Sequence, residues 1–175
     1  MKKLSKPLSS LLFSLFVVTV SFAQTTTAEK KTAKAAEIKR LITSQNFVFK
    51  PEYAETVTPA KKLYGSYDLE VSKEEFSVYL PAIYRFDQYM NPNEGGYNNT
   101  TSKFGYVATV NKKGTWRVLI TPKDDPTEHL KNRFSPYVKV ILTITPDGYA
   151  TLAFNDGIYF SGHIEEQTSD SLASN

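Results

Sequence analysis

Two histidines and no cysteine are all that this 175-residue chain offers for histidine- or thiol-based chemistry. A thiol nucleophile is therefore excluded. A Ser–His–carboxylate arrangement needs a histidine held by an acid and within reach of a hydroxyl. His129 stands in a segment with Asp124 and Asp125, and His163 lies two residues from Ser161, on the strand phase of Tyr159. The blander readings, an exposed loop histidine and a polar position near a strand end, outweigh a hydrolase using either residue. Zinc takes three or four His, Cys or carboxylate ligands, so no metal site is expected from two histidines. Asp87, Asn91, Asn93 and Glu94 gather oxygens in one segment, but without the spacing of a calcium-binding EF-hand loop. Asp68 and Glu70 share a strand face, about 7 Å apart by strand rise; solvent exposure explains them better than paired-carboxylate chemistry does. Catalytic residues, metals and cofactors are accordingly all expected to be none.

Binding is the function class that remains. The chain has eleven Tyr, eleven Phe and one Trp, side chains that combine a large apolar body with, for Tyr and Trp, a polar tip. Tyr84, Phe86, Tyr89 and Tyr97 flank the turn-rich run Asn91-Pro92-Asn93-Glu94-Gly95-Gly96. Together with Trp116 they are the expected mouth of a small-ligand site, because such sites are concave and aromatic-lined. The alternative partner is another envelope protein, seated on an apolar sheet face.

The elements that would position these residues are mostly strands. After Gln45 the apolar residues alternate: Phe47 and Phe49; Tyr67, Leu69 and Val71; Phe76, Val78 and Leu80; Tyr106, Ala108 and Val110; Trp116, Val118 and Ile120; Val138, Val140, Leu142 and Ile144; Ala150, Leu152 and Phe154; Ile158, Phe160 and Ile164. Period two repeated in this way predicts half-buried antiparallel strands. Ser72–Glu75, Asn111–Gly114, Pro146-Asp147-Gly148 and Asn155-Asp156-Gly157 supply hairpin turns between them. Tyr79, Val107, Leu119, Ile141 and Tyr159 fall on the opposite phase. A sheet with apolar residues on both faces needs a second cover, and the expected cover is a helix over about 28–43, started by the Thr26/Glu29 capping pair and carrying Ile38, Leu41 and Ile42 on one face. The segments 82–102 and 123–136 interrupt the strands and are read as long loops, where function concentrates. The fold class expected is mainly β: about seven or eight antiparallel strands closed as a small barrel or folded as a sandwich, with one N-terminal helix. Barrel is slightly favoured, because closure removes strand edges.

Residues 1–23 read as a signal peptide, with Lys2, Lys3 and Lys6, then an uncharged apolar run to Ala23, with small residues Ser21 and Ala23 before Gln24. Cleavage after Ala23 would place the rest in the periplasm or outside the cell, with no membrane span. Of 21 Lys and Arg, three lie in this segment, which leaves 18 basic against 18 acidic residues. A neutral chain is not a nucleic-acid binder, since phosphate binding needs clustered cations. Residues 24–34 are read as a polar linker, 35–164 as the β domain, and 165–175 as a polar, disordered tail.

Several runs in order suggest a relationship: Phe47-Val48-Phe49 after a helix, Tyr67-Asp68-Leu69, Tyr79-Leu80-Pro81, Glu94-Gly95-Gly96, Gly114-Thr115-Trp116, Leu142-Thr143-Ile144, Asp147-Gly148-Tyr149-Ala150-Thr151-Leu152 and Ile158-Tyr159-Phe160-Ser161-Gly162-His163-Ile164. The series, over roughly residues 35–164, resembles the DUF4251 family of exported Bacteroidetes-type proteins. The resemblance implies a small β domain of the cell envelope and no activity. Ala82-Ile83-Tyr84-Arg85-Phe86 departs from the family's aromatic-glycine stretch, and the arginine usual before the closing strand is missing near Gly157. A family site lined by those positions would be altered here.

Overall fold

The structure is a computed structural model that describes residues 26–55, 60–81, 97–123, 139–154 and 159–167. The chain divides into two compact units, 1–33 and 34–175. Helix α1 (Thr27–Ser44) begins at the capping pair foreseen from the sequence. The Thr26 N–H donates to Glu29 Oε2 at 2.8 Å, and the Glu29 N–H to Thr26 Oγ1 at 3.3 Å. It ends in a Schellman turn: the Asn46 N–H reaches the Leu41 carbonyl and the Gln45 N–H the Ile42 carbonyl. Gln45 holds φ 54°, the left-handed position where glycine is the usual residue.

Among the described residues ten strands follow: β1 (Phe47–Glu55), β2 (Lys61–Lys62), β3 (Asp68–Val71), β4 (Phe76–Leu80), β5 (Tyr97–Thr101), β6 (Phe104–Val110), β7 (Trp116–Pro122), β8 (Val140–Ile144), β9 (Tyr149–Ala153) and β10 (Tyr159–Glu165). They form one antiparallel sheet in the order β5-β4-β3-β1-β10-β9-β8-β7-β6, with the short β2 paired to β1 off this path. Most sequential neighbours pair, as the turns predicted. The exceptions define the fold. β1 pairs β3 on one side and β10 on the other, Val48 opposite Glu165, so the first long strand and the last sit at the centre of the sheet. β5 and β6, the two ends of the sheet, are consecutive in the chain and separated only by Ser102 and Lys103. They act as two halves of one bent strand, the first pairing β4 and the second β7. The sheet is thereby nearly closed into a barrel by covalent continuity.

One phase of each strand points inward. Phe47, Phe49, Leu69, Val71, Phe76, Val78, Val118, Ile120, Val140, Leu142, Ile144, Leu152 and Phe160 are fully buried in a single cluster. Ile38, Leu41 and Ile42 of α1 belong to that same cluster. The helix is therefore not the cover of the second sheet face, as expected from the sequence. Its apolar stripe joins the inward set at the end of the sheet that carries the β6–β7 and β8–β9 turns: the Tyr106 hydroxyl donates to the Ile42 carbonyl at 2.9 Å, and Ile38 packs on Gly148. Burial raises the Tyr106 pKa and keeps its phenol neutral. Tyr79, Val107 and Tyr159, on the second face, stay exposed.

Candidate functional site

Where α1 turns into β1, the chain leaves a groove of about 650 Å³. Its walls are the helix end (Ser44, Gln45, Asn46), the β3–β4 hairpin (Glu70, Ser72, Lys73, Glu74, Glu75, Ser77), Ser102 at the bend between β5 and β6, and Gln167 after β10. Every wall residue is polar or charged. The hairpin is fixed by Ser72, whose hydroxyl accepts from the Glu74 and Glu75 N–H groups and donates to the Glu75 carbonyl at 3.0 Å. That turn holds Lys73 and the Glu74 and Glu75 carboxylates out at the rim, all three exposed. Inside, Gln167 donates to Glu70 Oε2 at 3.0 Å, and Ser77 bonds Thr100 at 3.0 Å across the β4–β5 pair. Burial, and next the neighbouring Asp68, hold the Glu70 carboxyl above its ordinary pKa. Lys50, 3.1 Å from Asp68, partly offsets this. The groove can therefore offer amide donors and acceptors, hydroxyls and carboxylates; among the described residues Lys73 is its single cation and no aromatic side chain lines it.

Sequence reasoning missed this site because it lies where four separate segments converge. Gln45 could have pointed to it only through its left-handed backbone at the helix end, which the structure and not the sequence reveals. Of the expected aromatic mouth, only Tyr97 and Trp116 fall within the described residues. Tyr84, Phe86 and Tyr89 lie outside the described residues. Tyr97 starts β5 and is buried, stacked on Phe154 with centroids 4.2 Å apart and edge-on to Phe160 at 6.5 Å. Trp116 starts β7 beside the β6–β7 turn, at the opposite end of the sheet, where it packs half-buried on the core. Tyr97 and Trp116 do not line a common opening.

Of the two histidines, His129 lies outside the described residues. His163 is held by an acid: Nδ1 lies 2.9 Å from Glu52 Oε1, and Tyr149 meets the ring edge-on at 5.4 Å. The pair stands on the open outer face, with both side chains about half exposed (55% and 51%). Ser161 is buried, and no bond joins it to His163 among the described residues. Asp147 nearby is held below the ordinary carboxylate pKa chiefly by its bond from the Thr145 hydroxyl. Among the described residues this is an oriented imidazole with neither a cleft nor a nucleophile beside it. Among the described residues no cluster of three or more His, Cys, Asp or Glu could hold a metal ion.

The outer face carries one further pattern. Val107 pairs Leu119, Leu119 pairs Ile141, Ile141 pairs Ala153, and Ala153 pairs Tyr159. These residues form a continuous apolar row across five strands, with Val107 56% and Tyr159 47% exposed. The adjoining row is Thr109, Arg117, Thr143, Thr151 and Ser161, which is polar.

A family model described as a domain of unknown function, DUF4251, matches residues 29–159. Among solved structures, the crystal structure of a DUF4251 family protein from Bacteroides eggerthii DSM 20697 at 1.95 Å is similar. It is 14% identical, with a TM-score of 0.50, and the match covers 77% of this chain and 88% of that one. At that identity the likeness concerns the fold. No curated protein matches the chain.

Proposed function

The chain belongs to the DUF4251 family, and within it we propose a non-catalytic binding module, exported to the cell envelope, that takes a small polar ligand in the groove between α1, the β3–β4 hairpin and the β5–β6 bend. The observation that carries this reading is the groove itself, about 650 Å³, a volume within the range of small-molecule sites. Two features support it. Among the described residues the inward strand positions carry large buried side chains, while the groove is open. Gln45, at the groove, occupies a left-handed position where glycine would cost ~1 kcal/mol less; its amide is a reason for a side chain there. Export is supported by the charged, apolar and small-residue segments in order over residues 1–23.

Native mass spectrometry of the protein purified gently from its producing cells tests both parts. The denatured mass is expected to begin at Gln24. The native spectrum alone is expected to show an added mass on the order of a few hundred daltons, lost in Gln45→Gly. A bare native chain that also takes up no compound from a screen of polar metabolites would overturn the groove reading. A second reading, an interaction surface on the outer face, is favoured by the apolar row from Val107 to Tyr159.

A further inference from the structure

We infer that β6 and the apolar row ending on it are a self-association surface, and that the partner is a second copy of this chain paired antiparallel through β6 about Val107. The inference rests on the second reading above, that the outer face is an interaction surface.

β6 is a terminal strand, and among the described residues it pairs with β7 alone. The side on which its remaining backbone groups point follows from the ladder. The Lys123 N–H donates to the Lys103 carbonyl and the Asn111 N–H to the Thr115 carbonyl, in the same register that sets Val107 opposite Leu119. In an antiparallel pair hydrogen-bonded residues alternate with non-bonded ones. The odd residues 105, 107 and 109 therefore bond β7, and Phe104, Tyr106, Ala108 and Val110 direct their N–H and C=O groups to the other edge. Edge strands are ordinarily guarded by charges, prolines or bulges. From Phe104 to Val110 there is no charged residue and no proline, and the pairing with β7 runs without a register shift. The opposite terminal strand, β5, differs: its exposed positions are Asn98 and Thr100.

The strand is also self-complementary. Val107 is its central residue. A two-fold axis there sets Val107 against Val107 as a non-hydrogen-bonded pair. It makes Tyr106 face Ala108 and Phe104 face Val110 of the second copy as hydrogen-bonded pairs, which is the parity the free edge offers. The outer apolar row then continues across the axis into its own copy.

The chain has no cysteine, so a single introduced thiol can pair only with its twin. Non-bonded antiparallel partners hold their Cβ atoms about 4.5–5.5 Å apart, close enough for a disulfide after a small adjustment. Val107→Cys is expected to cross-link to a dimer under mild oxidation. Val110→Cys, whose twin would stand six residues away, about 20 Å along the strand, is not. Sedimentation equilibrium of the wild type is expected to show twice the chain mass at tens of micromolar. Val107→Lys, at an exposed site, is expected to weaken the dimer at least about tenfold, with a melting temperature equal to that of the wild type at dilutions where both are monomeric. A wild type that stays monomeric throughout, or a Val110→Cys that cross-links as fast as Val107→Cys, would overturn the inference. A monomer that co-purifies with a different protein, lost in Val107→Lys, would overturn self-pairing and leave the outer face an interaction surface.

Discussion

At Gly162 the backbone of β10 passes so close to β1 that a Cβ would lie 2.0 Å from the Lys50 carbonyl oxygen and 2.9 Å from Pro51 Cα. Both contacts are backbone, so nothing flexible can give way. The register of β1 on β10 shifts at this point, between Pro51 and Tyr53. Gly162→Ala is therefore expected to cost more than the usual 1–3 kcal/mol of an overpacked site, read as a lower urea midpoint. Glu70 gives a pH signature. Its folded pKa lies above the unfolded one, chiefly through burial, so its contribution is fully present below the unfolded pKa and is lost as pH rises through the folded one. Glu70→Gln is expected to raise the melting temperature at pH 7 and to change it little below about pH 4. Neither residue announces itself in the sequence. Gly162 reads as one more strand position, because the atoms that demand glycine belong to a strand about 110 residues earlier. Glu70 reads as an exposed strand acid, because its cover, Gln167, comes from beyond the last strand.

Among the elements, α1 depends most on burial. Its fully buried Ile38, Leu41 and Ile42 join the sheet's own core. Leu41→Ala is expected to destabilise the protein by about 2–5 kcal/mol, measured by chemical denaturation. Thr26→Ala removes only a cap, about 1 kcal/mol, and is expected to lower helicity by circular dichroism with little effect on the sheet. Helix limits and most strands were legible, because each carries its own periodicity: the helix expected over 28–43 spans Thr27–Ser44, and Val140–Ile144 alternates without a fault. β5 was not legible. Its Tyr-Asn-Asn-Thr-Thr has the composition of a loop, and it is a strand only because β4 supplies a ladder on one side and Tyr97 an anchor in the core. β1 runs past Pro51 to Glu55 where a proline ordinarily ends a strand; the register shift next to it accommodates the residue. The face that the helix meets is not legible, because periodicity states which residues of a sheet share a side, and not which side a helix will meet.

For the whole molecule, the mainly β class was legible, since many short alternating runs joined by tight turns leave few other arrangements, and closure into a barrel stood only as a slight preference over a sandwich. The site was not, since a concavity assembled from a helix end, a hairpin, a bend and a terminal segment has no local pattern. The groove and the self-pairing edge make separable forecasts: Gln45→Gly is expected to abolish ligand mass without altering the oligomer, and Val107→Lys the reverse, with native mass spectrometry reading both. The central pairing of the sheet bears on something else, the timing of folding. Val48 finds Glu165, and Phe49 finds Ile164, across almost the whole described chain. β1, at the middle of the sheet, lacks its partner β10 until β10 itself has been made. Contacts so distant in sequence make folding slow, and a chain that cannot complete its sheet until β10 is made stays threadable for longer, which suits the export proposed above.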